Sequence, residues 1–156
     1  MARLDVIDRM ILATIQENGR MTNIGLSEKI GISAPPCLRR LKCLEDSNII
    51  IGYRAEINRE MLGYKIFAVC LVSIALQTIE GMQSFISMVD NSESIRSCFS
   101  TAGGEYFVLT IVAKDWEDYN NVLRDEIQMC PVVASVKSFV LANKHKDEVG
   151  IPIDCS

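Results

Sequence analysis

The sequence predicts an α+β protein in which a helical region is followed by a region that alternates strands and helices. In the first 47 residues, apolar side chains recur at helical spacing and short turns interrupt the pattern, which favours several short amphipathic helices. From residue 65 onward, runs rich in β-branched residues alternate with helical patterns in the order βαββαβ. The chain has 156 residues, 49% of them hydrophobic, so it is long enough for two small domains and too apolar to be disordered.

Three short helices are predicted in the first region. The second is expected to begin at a cap residue, Thr22 or Asn23. The stretch 31–33 (Gly-Ile-Ser) then makes a tight turn, and its serine is a good N-cap for a third helix over about residues 34–46. Pro35 and Pro36 are tolerated there, because the N–H groups of a first helical turn have no intrahelical partners.

Two short apolar segments after the third helix predict a wing. Ile49–Ile51 and Arg54–Ile57 flank Gly52-Tyr53, as two strands flank a turn. Together with the three helices they predict a winged helix-turn-helix over residues 1–60, followed by a linker over residues 61–64.

The second region, residues 65–156, is predicted to form one domain. Strands are expected at 65–76, 94–101, 106–113 and 133–142, and helices at 79–89 and 115–129. This order is that of a ferredoxin-like fold, whose antiparallel sheet carries its helices on one face. The other sheet face would be apolar and bare in a monomer, so we expect a homodimer that buries it.

The predicted third helix has an apolar and a cationic face. The apolar face carries Leu38, Leu41 and Leu44. Arg39 and Lys42 lie opposite, and Arg40 lies at the flank. Such a face is often only solvated, but after a capped helix and a tight turn it favours insertion into the major groove of double-stranded DNA. Arginine can bridge guanine O6 and N7 there, and helix N-termini can hold phosphates. The candidate DNA-binding residues are Thr22, Asn23, Ser33, Ala34, Pro35, Pro36, Arg39, Arg40 and Lys42.

Composition excludes several other classes. No apolar run reaches the roughly 18 residues that span a bilayer, and residues 1–5 show no export signal, so we expect a cytoplasmic protein without a membrane partner. Six cysteines are scattered without a C-x-x-C pair, and His145 is the single histidine, so neither a disulfide framework nor a metal site is expected. No cofactor and no catalytic residue is predicted.

The charge of the chain is distributed unevenly. The net charge is −4, yet residues 1–64 carry nine Lys and Arg against eight Asp and Glu, whereas residues 65–156 carry seven against twelve. An anionic partner is therefore expected to meet the first region.

Over nearly its whole length the sequence resembles the Lrp/AsnC (leucine-responsive or feast/famine) regulators, most specifically from Gly31 to Glu45. The matching stretches are Leu4-Asp5, Asp8-Arg9, Ile11-Leu12, Gln16–Asn23, Leu26-Ser27, Gly31–Glu45, Ile51–Ala55, Leu62-Gly63, Cys98–Leu109 and Pro131–Leu141. The resemblance implies a winged helix-turn-helix joined to a βαββαβ ligand-sensing domain. It further implies dimers that assemble into tetramers or octamers, and transcription tuned by amino acids.

The effector loop of the family is only partly matched. Between the second and third strands, the family carries a G-x-x-D-Y pattern that holds an amino-acid effector at an interface between dimers. Aligned without gaps, this chain has Tyr106 in place of the aspartate, and a one-residue slip would instead use Glu105 and Tyr106, with Ala102 at the glycine position. In the last strand, Val136 and Ser138 stand where the family often has two hydroxyl residues. The candidate effector residues are Thr101, Ala102, Gly103, Gly104, Glu105, Tyr106, Val136 and Ser138.

Two other functions are compatible with this fold. A haem-pathway decarboxylase would need histidine or arginine in the sensor cavity, whereas His145 follows the last predicted strand and is better interpreted as a surface residue. A sensing or assembly module without specific DNA binding is disfavoured by the cations of the third helix. The preferred hypothesis is a sequence-specific DNA-binding transcription regulator with a small-molecule effector, an amino acid or another compound.

Overall fold

The computed structural model describes residues 4–75, 78–104, 106–146 and 150–155. They form two compact units. The first contains the described residues up to Glu56 together with the described part of the tail, Lys146 and Gly150–Cys155, and the second contains the described residues from Ile57 to His145. The tail thus belongs with the helical region, whereas the sequence had placed it in the second domain.

The first unit is built from three helices around a small apolar core. They are α1 (Val6–Glu17), α2 (Asn23–Ile30) and α3 (Ala34–Asp46). The fully buried core consists of Ile11, Ile15, Leu26, Ile30, Cys37 and Leu44. A capping box starts α1, because the Asp8 N–H donates to the Asp5 carboxylate at 2.9 Å and the Asp5 N–H donates to the Asp8 carboxylate at 3.2 Å.

The turn between α2 and α3 has the predicted form. Thr22 is the N-cap of α2, and its Oγ1 accepts a hydrogen bond from the Gly25 N–H at 3.2 Å. Gly31 ends α2 in the left-handed region at φ +82°, where only glycine is unstrained. Such a turn sets the angle at which α3 leaves α2.

The buried face of α3 differs by one position from the predicted one. Leu44 is buried and Leu41 is half-buried, but Leu38 is 40% exposed and Cys37 is fully buried in its place. Cys37, Leu41 and Leu44 follow the i, i+4, i+7 spacing of one helical stripe. The prediction was wrong because hydrophobicity favoured leucine over a thiol that packs as a small apolar group.

The two wing strands expected at 49–51 and 54–57 are not formed among the described residues. Two strands of three or four residues bury too little apolar surface to be stable alone. The segment is instead held to the first unit through Tyr53, whose hydroxyl donates to Glu45 Oε1 at 2.8 Å and whose ring lies over Gly19. Burial, followed by the bond to Glu45, raises the pKa of Tyr53 to about 12.

The second unit is a four-stranded antiparallel sheet with helices on one face, as predicted. Its elements are β1 (Ile66–Ile74), α4 (Ile79–Asn91), β2 (Ile95–Ser100), β3 (Phe107–Ala113), α5 (Trp116–Asn121), which continues as a π-helical stretch (Val122–Gln128), and β4 (Val133–Val140). The strand order is β2-β3-β1-β4. The split βαββαβ order therefore brings β1 to the centre, between β3 and β4.

The two faces of the sheet differ in burial. Alternate residues of β1 and β3 are fully buried under the helices, where Phe85 packs on Phe107 with ring centroids 4.6 Å apart. No described helix or strand of this unit covers the opposite face, although the Arg59 guanidinium lies 5.5 Å from the centre of the Phe67 ring. This face carries Phe67, Val69, Leu71, Phe99, Val108, Val112 and Phe139. Phe99 and Phe139, at 64% and 53% exposure, are its most accessible side chains.

Two further features of the described residues bear on function. None of their helices is long and apolar enough to cross a membrane. No group of three or more His, Cys, Asp or Glu side chains among them is arranged to hold a metal ion.

Candidate functional site

The outer face of α3 presents two cations that have no partner among the residues that the structure describes. Arg39 and Lys42 are exposed, and neither makes an ion pair or hydrogen bond to any described residue. Pro35 and Cys43 are exposed on the same side, and the 40%-exposed Leu38 lies beside them. This face therefore combines unpaired charge with an apolar contact, the two features that read phosphates and base edges in a major groove.

Arg40 is differently placed. Its Nη1 donates to Asp5 Oδ2 and to Asp8 Oδ1, both at 2.7 Å, so the guanidinium ties α3 to the capping box of α1. Hydrogen bonds to Asp8 and then Asp5 raise the pKa of Arg40. The Asp8 backbone N–H is the main cause that lowers the pKa of Asp5, and Arg40 adds to it. Arg40 is thus engaged inside the unit, unlike Arg39 and Lys42.

The N-terminus of α3 offers less to a phosphate than the sequence predicted. Ser33 is the N-cap residue, but its hydroxyl makes no capping bond to the helix. A capping side chain accepts from the second or third helical N–H, and here those residues are Pro35 and Pro36, which have none. The Ser33 hydroxyl and the N–H groups of Ser33 and Ala34 remain as donors at this end.

Asn23 joins the two helices of the motif. Its Nδ2 donates to the Ala34 carbonyl oxygen at 2.9 Å, which links the start of α2 to the start of α3. Its Oδ1 is buried and has no hydrogen-bond partner among the described residues. Asn23 therefore contributes to the angle between the helices, while the Thr22 hydroxyl caps α2.

The candidate effector loop is a tight turn between β2 and β3. The Thr101 N–H donates to the Tyr106 carbonyl at 3.0 Å, the Gly104 N–H to the Thr101 carbonyl at 2.9 Å, and the Tyr106 N–H to Thr101 Oγ1 at 3.4 Å. Gly104 has φ +68°, so this turn requires glycine for its backbone alone. Ala102 and Gly103 keep N–H groups that are not bonded to described residues. Glu105 lies outside the described residues.

The space around this loop is open. A Cβ added at Gly103 or Gly104 would meet no atom within 4 Å. Ala102 and Gly103 are also exposed, so a small ligand could reach their backbone N–H groups.

Val136 and Ser138 do not face this loop. Val136 packs against the core under the helices, and the hydroxyls of Ser138 and Tyr119 are hydrogen-bonded to each other. Cys70 Sγ lies 3.5 Å from Ser138 Oγ and 3.9 Å from Tyr119 Oη. Burial, and next the neighbouring Cys70, raise the pKa of Tyr119.

The strand pairing also separates the loop from Val136. Phe107, at the end of the loop, pairs with Val72, and Val72 pairs with Val136. At the spacing of neighbouring strands the loop and Val136 are about 10 Å apart. The structure thus brings Thr101, Ala102, Gly103, Gly104 and Tyr106 together but places the half-buried Val136 and the exposed Ser138 elsewhere on β4.

Sequence reasoning missed two features of the candidate site. Leu38 on the outer face of α3 could have been found from the stripe formed by Cys37, Leu41 and Leu44. The ion pairs of Arg40 with Asp5 and Asp8 could not be predicted from the sequence, because they depend on how α1 packs on α3.

Two family models match the chain, one in each region. A model described as winged helix-turn-helix DNA-binding matches residues 4–51. A model described as Lrp/AsnC ligand binding domain matches residues 68–151, more than half of the chain.

Individual relatives agree with these models. The chain is 34% identical to a leucine-responsive regulatory protein of Rhizobium meliloti, with 96% of each chain covered. It is 33% identical to the Bkd operon transcriptional regulator of Pseudomonas aeruginosa, with 88% of this chain and 90% of that one covered.

Solved structures show the same fold. A transcriptional regulator from Neisseria meningitidis in complex with L-Met superposes with a TM-score of 0.92 at 31% identity, covering 97% of this chain and 98% of that one. An AsnC family regulator from Agrobacterium tumefaciens, at 23% identity, has a TM-score of 0.86 with 96% and 97% covered, and supports the fold alone. The chain therefore belongs to the Lrp/AsnC family of transcriptional regulators, and it carries the family's DNA-binding and ligand-binding domains in that order.

Proposed function

We propose that this regulator reads DNA with the outer face of α3, and that Arg39 and Lys42 are the cations that do so. The observation that carries the proposal is that both side chains are exposed and make no pair within the described part of the chain, whereas Arg40 is held by Asp5 and Asp8. A cation without a protein partner loses no internal bond when it contacts a phosphate or a guanine. Arg39 suits guanine O6 and N7, since the guanidinium can donate two bonds, and Lys42 suits phosphate.

Other parts of the motif support this assignment. The Ser33 hydroxyl and the Ser33 and Ala34 N–H groups suit a phosphate beside the groove, and Thr22 lies at the second helix N-terminus. Leu38, with Pro35, offers apolar contact to a thymine methyl group. Asn23 and Arg40 are assigned to holding the helices, not to DNA.

Binding of the promoter fragment of the protein's own gene, measured by fluorescence anisotropy across a salt series, tests this proposal. We expect Arg39→Ala to reduce the preference for that fragment over unrelated DNA by 1–3 kcal/mol, about 5-fold to 150-fold. Lys42→Ala should weaken binding to both DNAs and lower the salt slope by about one. Lys29→Ala is the control, because Lys29 is an exposed cation that pairs with Glu17 at 3.0 Å. Unchanged affinity and salt slope in a folded Arg39→Ala plus Lys42→Ala protein would overturn the groove assignment.

We further propose that an amino acid is the effector and that it binds at the loop from Thr101 to Tyr106. The structure of the Neisseria meningitidis relative contains L-Met. The unbonded N–H groups of Ala102 and Gly103, in open space, suit an α-carboxylate. Val136 and Ser138 are left out of this proposed site because Val136 lies two strand spacings from the loop and the Ser138 hydroxyl is bonded to Tyr119.

A thermal-shift screen of the twenty amino acids, with L-Met first, tests the effector. A ligand of the native state at 100 times its Kd stabilises the protein by about 2.7 kcal/mol, so the melting temperature must rise. Gly103→Val should abolish the shift, because it fills the open space without the left-handed strain of Gly104. Ser84→Val, at an exposed position of α4, should retain it. No shift with any amino acid in the unmodified protein would refute amino-acid sensing.

We also propose that the open face of the sheet is the contact between two copies. Two exposed phenylalanines amid half-buried aliphatic residues make an apolar surface of the kind that soluble proteins bury on association. Assembly of such dimers into tetramers or octamers stays a prediction.

A further inference from the structure

The C-terminal segment Gly150–Cys155 lies along α1 of the DNA-binding unit. The side-chain amide of Gln16 bonds both polar backbone groups of Ile151: its Nε2 donates to the carbonyl oxygen at 2.8 Å, and its Oε1 accepts from the N–H at 3.1 Å. Arg9 donates from Nη1 to the Asp154 carbonyl oxygen at 3.1 Å. All three bonds recognise peptide backbone, so they suit an extended strand in general.

The spacing of these contacts fits helix geometry. Arg9 and Gln16 are seven residues apart, which is about two helical turns and a rise of about 10 Å, so both lie on one face of α1. Three residues of extended chain, from Ile151 to Asp154, also span about 10 Å. The segment therefore runs antiparallel to α1 in matching register.

Gly150 allows the close approach at the start of this segment. It has φ +104°, and a Cβ at this position would overlap the Gln16 side-chain amide. Pro152, between the two contact points, needs no N–H partner and restricts the chain to extended conformations. Gly150 thus permits the close approach to α1, and Pro152 favours the extended conformation of the segment.

We propose that Arg9 and Gln16 form a peptide-docking surface on α1, and that its occupant is the segment Gly150–Cys155 of the same chain. The docked segment is thus grouped with the first unit, although it follows the second unit in the sequence. This inference goes beyond the proposed function, since it needs neither DNA nor an amino acid.

Amide hydrogen exchange of the full chain, resolved to single residues, tests the docking. We expect the Ile151 N–H to exchange at least about tenfold more slowly than an unstructured amide, and Gly150→Ala to abolish that protection. Gly63→Ala is the matched control, because Gly63 has a similar φ of +88° but open space around it. An unprotected Ile151 amide in the unmodified chain, or full protection in Gly150→Ala, would overturn the proposal.

A second pair of variants tests Gln16 without backbone strain. Gln16→Ala should also abolish protection, and adding Gly150→Ala should change nothing further, since both act on one contact. Glu17→Ala, which removes only the pair with Lys29, should retain protection. Protection should also be independent of protein concentration. Loss of protection on dilution would show that a second copy supplies the segment, and would refute docking within one chain.

Discussion

At the scale of single residues, neighbouring arginines on α3 have different roles. Sequence spacing places Arg39 and Arg40 side by side as candidate DNA contacts. In the structure Arg40 bonds two carboxylates of α1, and Arg39 bonds none of the described residues. A charged side chain that is paired within the protein stabilises the fold, whereas an unpaired neighbour is available to bind a ligand.

Single alanine substitutions should separate these roles. Arg40→Ala should lower the free energy of unfolding, because it removes the ion pairs with Asp5 and Asp8. The loss should be only about 1 kcal/mol, because both pairs are partly exposed and solvent screening weakens them. Arg39→Ala should change it by less than about 0.5 kcal/mol. Urea unfolding at neutral pH measures both, and equal stability of the two variants would contradict the assignment of Arg40.

Asp5 should make stability depend on acid pH. Its pKa in the folded protein lies below the usual 3.8, chiefly because its carboxylate accepts the Asp8 N–H. Its contribution is therefore present above pH 3.8 and is lost as the pH falls through the lowered folded pKa. Asp5→Asn keeps a capping oxygen but has no titratable group, so it should lose less stability than the unmodified protein between pH 7 and pH 3. Parallel urea titrations at both pH values should show this difference, and identical losses would refute it.

At the scale of elements, β4 carries Ser138, which the sequence predicts in the effector site but which the structure joins to a hydrogen-bonded cluster. Ser138 bonds Tyr119 of α5 and lies next to Cys70 of β1, so this hydroxyl links the edge strand to the helix layer. Ser138 itself is exposed, but Tyr119 is buried, so its hydroxyl is costly to leave without a partner.

Ser138→Ala should therefore act on stability and not on ligand binding. It removes the serine partner of the Tyr119 hydroxyl, and because Ser138 is exposed and water can replace it, we expect a loss of about 1 kcal/mol in the free energy of unfolding. The melting-temperature shift caused by a saturating amino acid should stay unchanged. A lost shift with unchanged stability would instead return Ser138 to the effector site.

At the scale of the whole molecule, the bare sheet face predicts association. Phe99→Asp plus Phe139→Asp should shift the protein toward monomer in analytical ultracentrifugation, because two buried, unpaired charges oppose dimerisation. Met129→Asp, at a 72%-exposed apolar position outside the sheet, should leave the oligomeric state unchanged. A monomeric unmodified protein, or a dimeric double variant, would contradict the proposed interface.

Much of the fold could be predicted from local patterns. The strand and helix order of the second unit follows from apolar periodicity, and Thr22 and Gly31 carry the backbone and capping chemistry that their positions need. The prediction of two wing strands was wrong, because short strands pair only where tertiary packing buries them, and the sequence of a short apolar segment does not show that packing. The predicted buried face of α3 was wrong at Leu38, because Cys37 occupies the core instead.

The sequence by itself determined the two-region α+β fold, the family and the cationic helix, because these depend on periodicity, turn residues and motifs that are local in the chain. Only the tertiary structure decided which cation stays unpaired, which face Ser138 joins and where the C-terminal segment packs. Asp5 and Arg40 are 35 residues apart, and Gln16 and Ile151 are 135 apart. Contacts between such distant residues leave no local pattern, since each depends on how separate elements pack together.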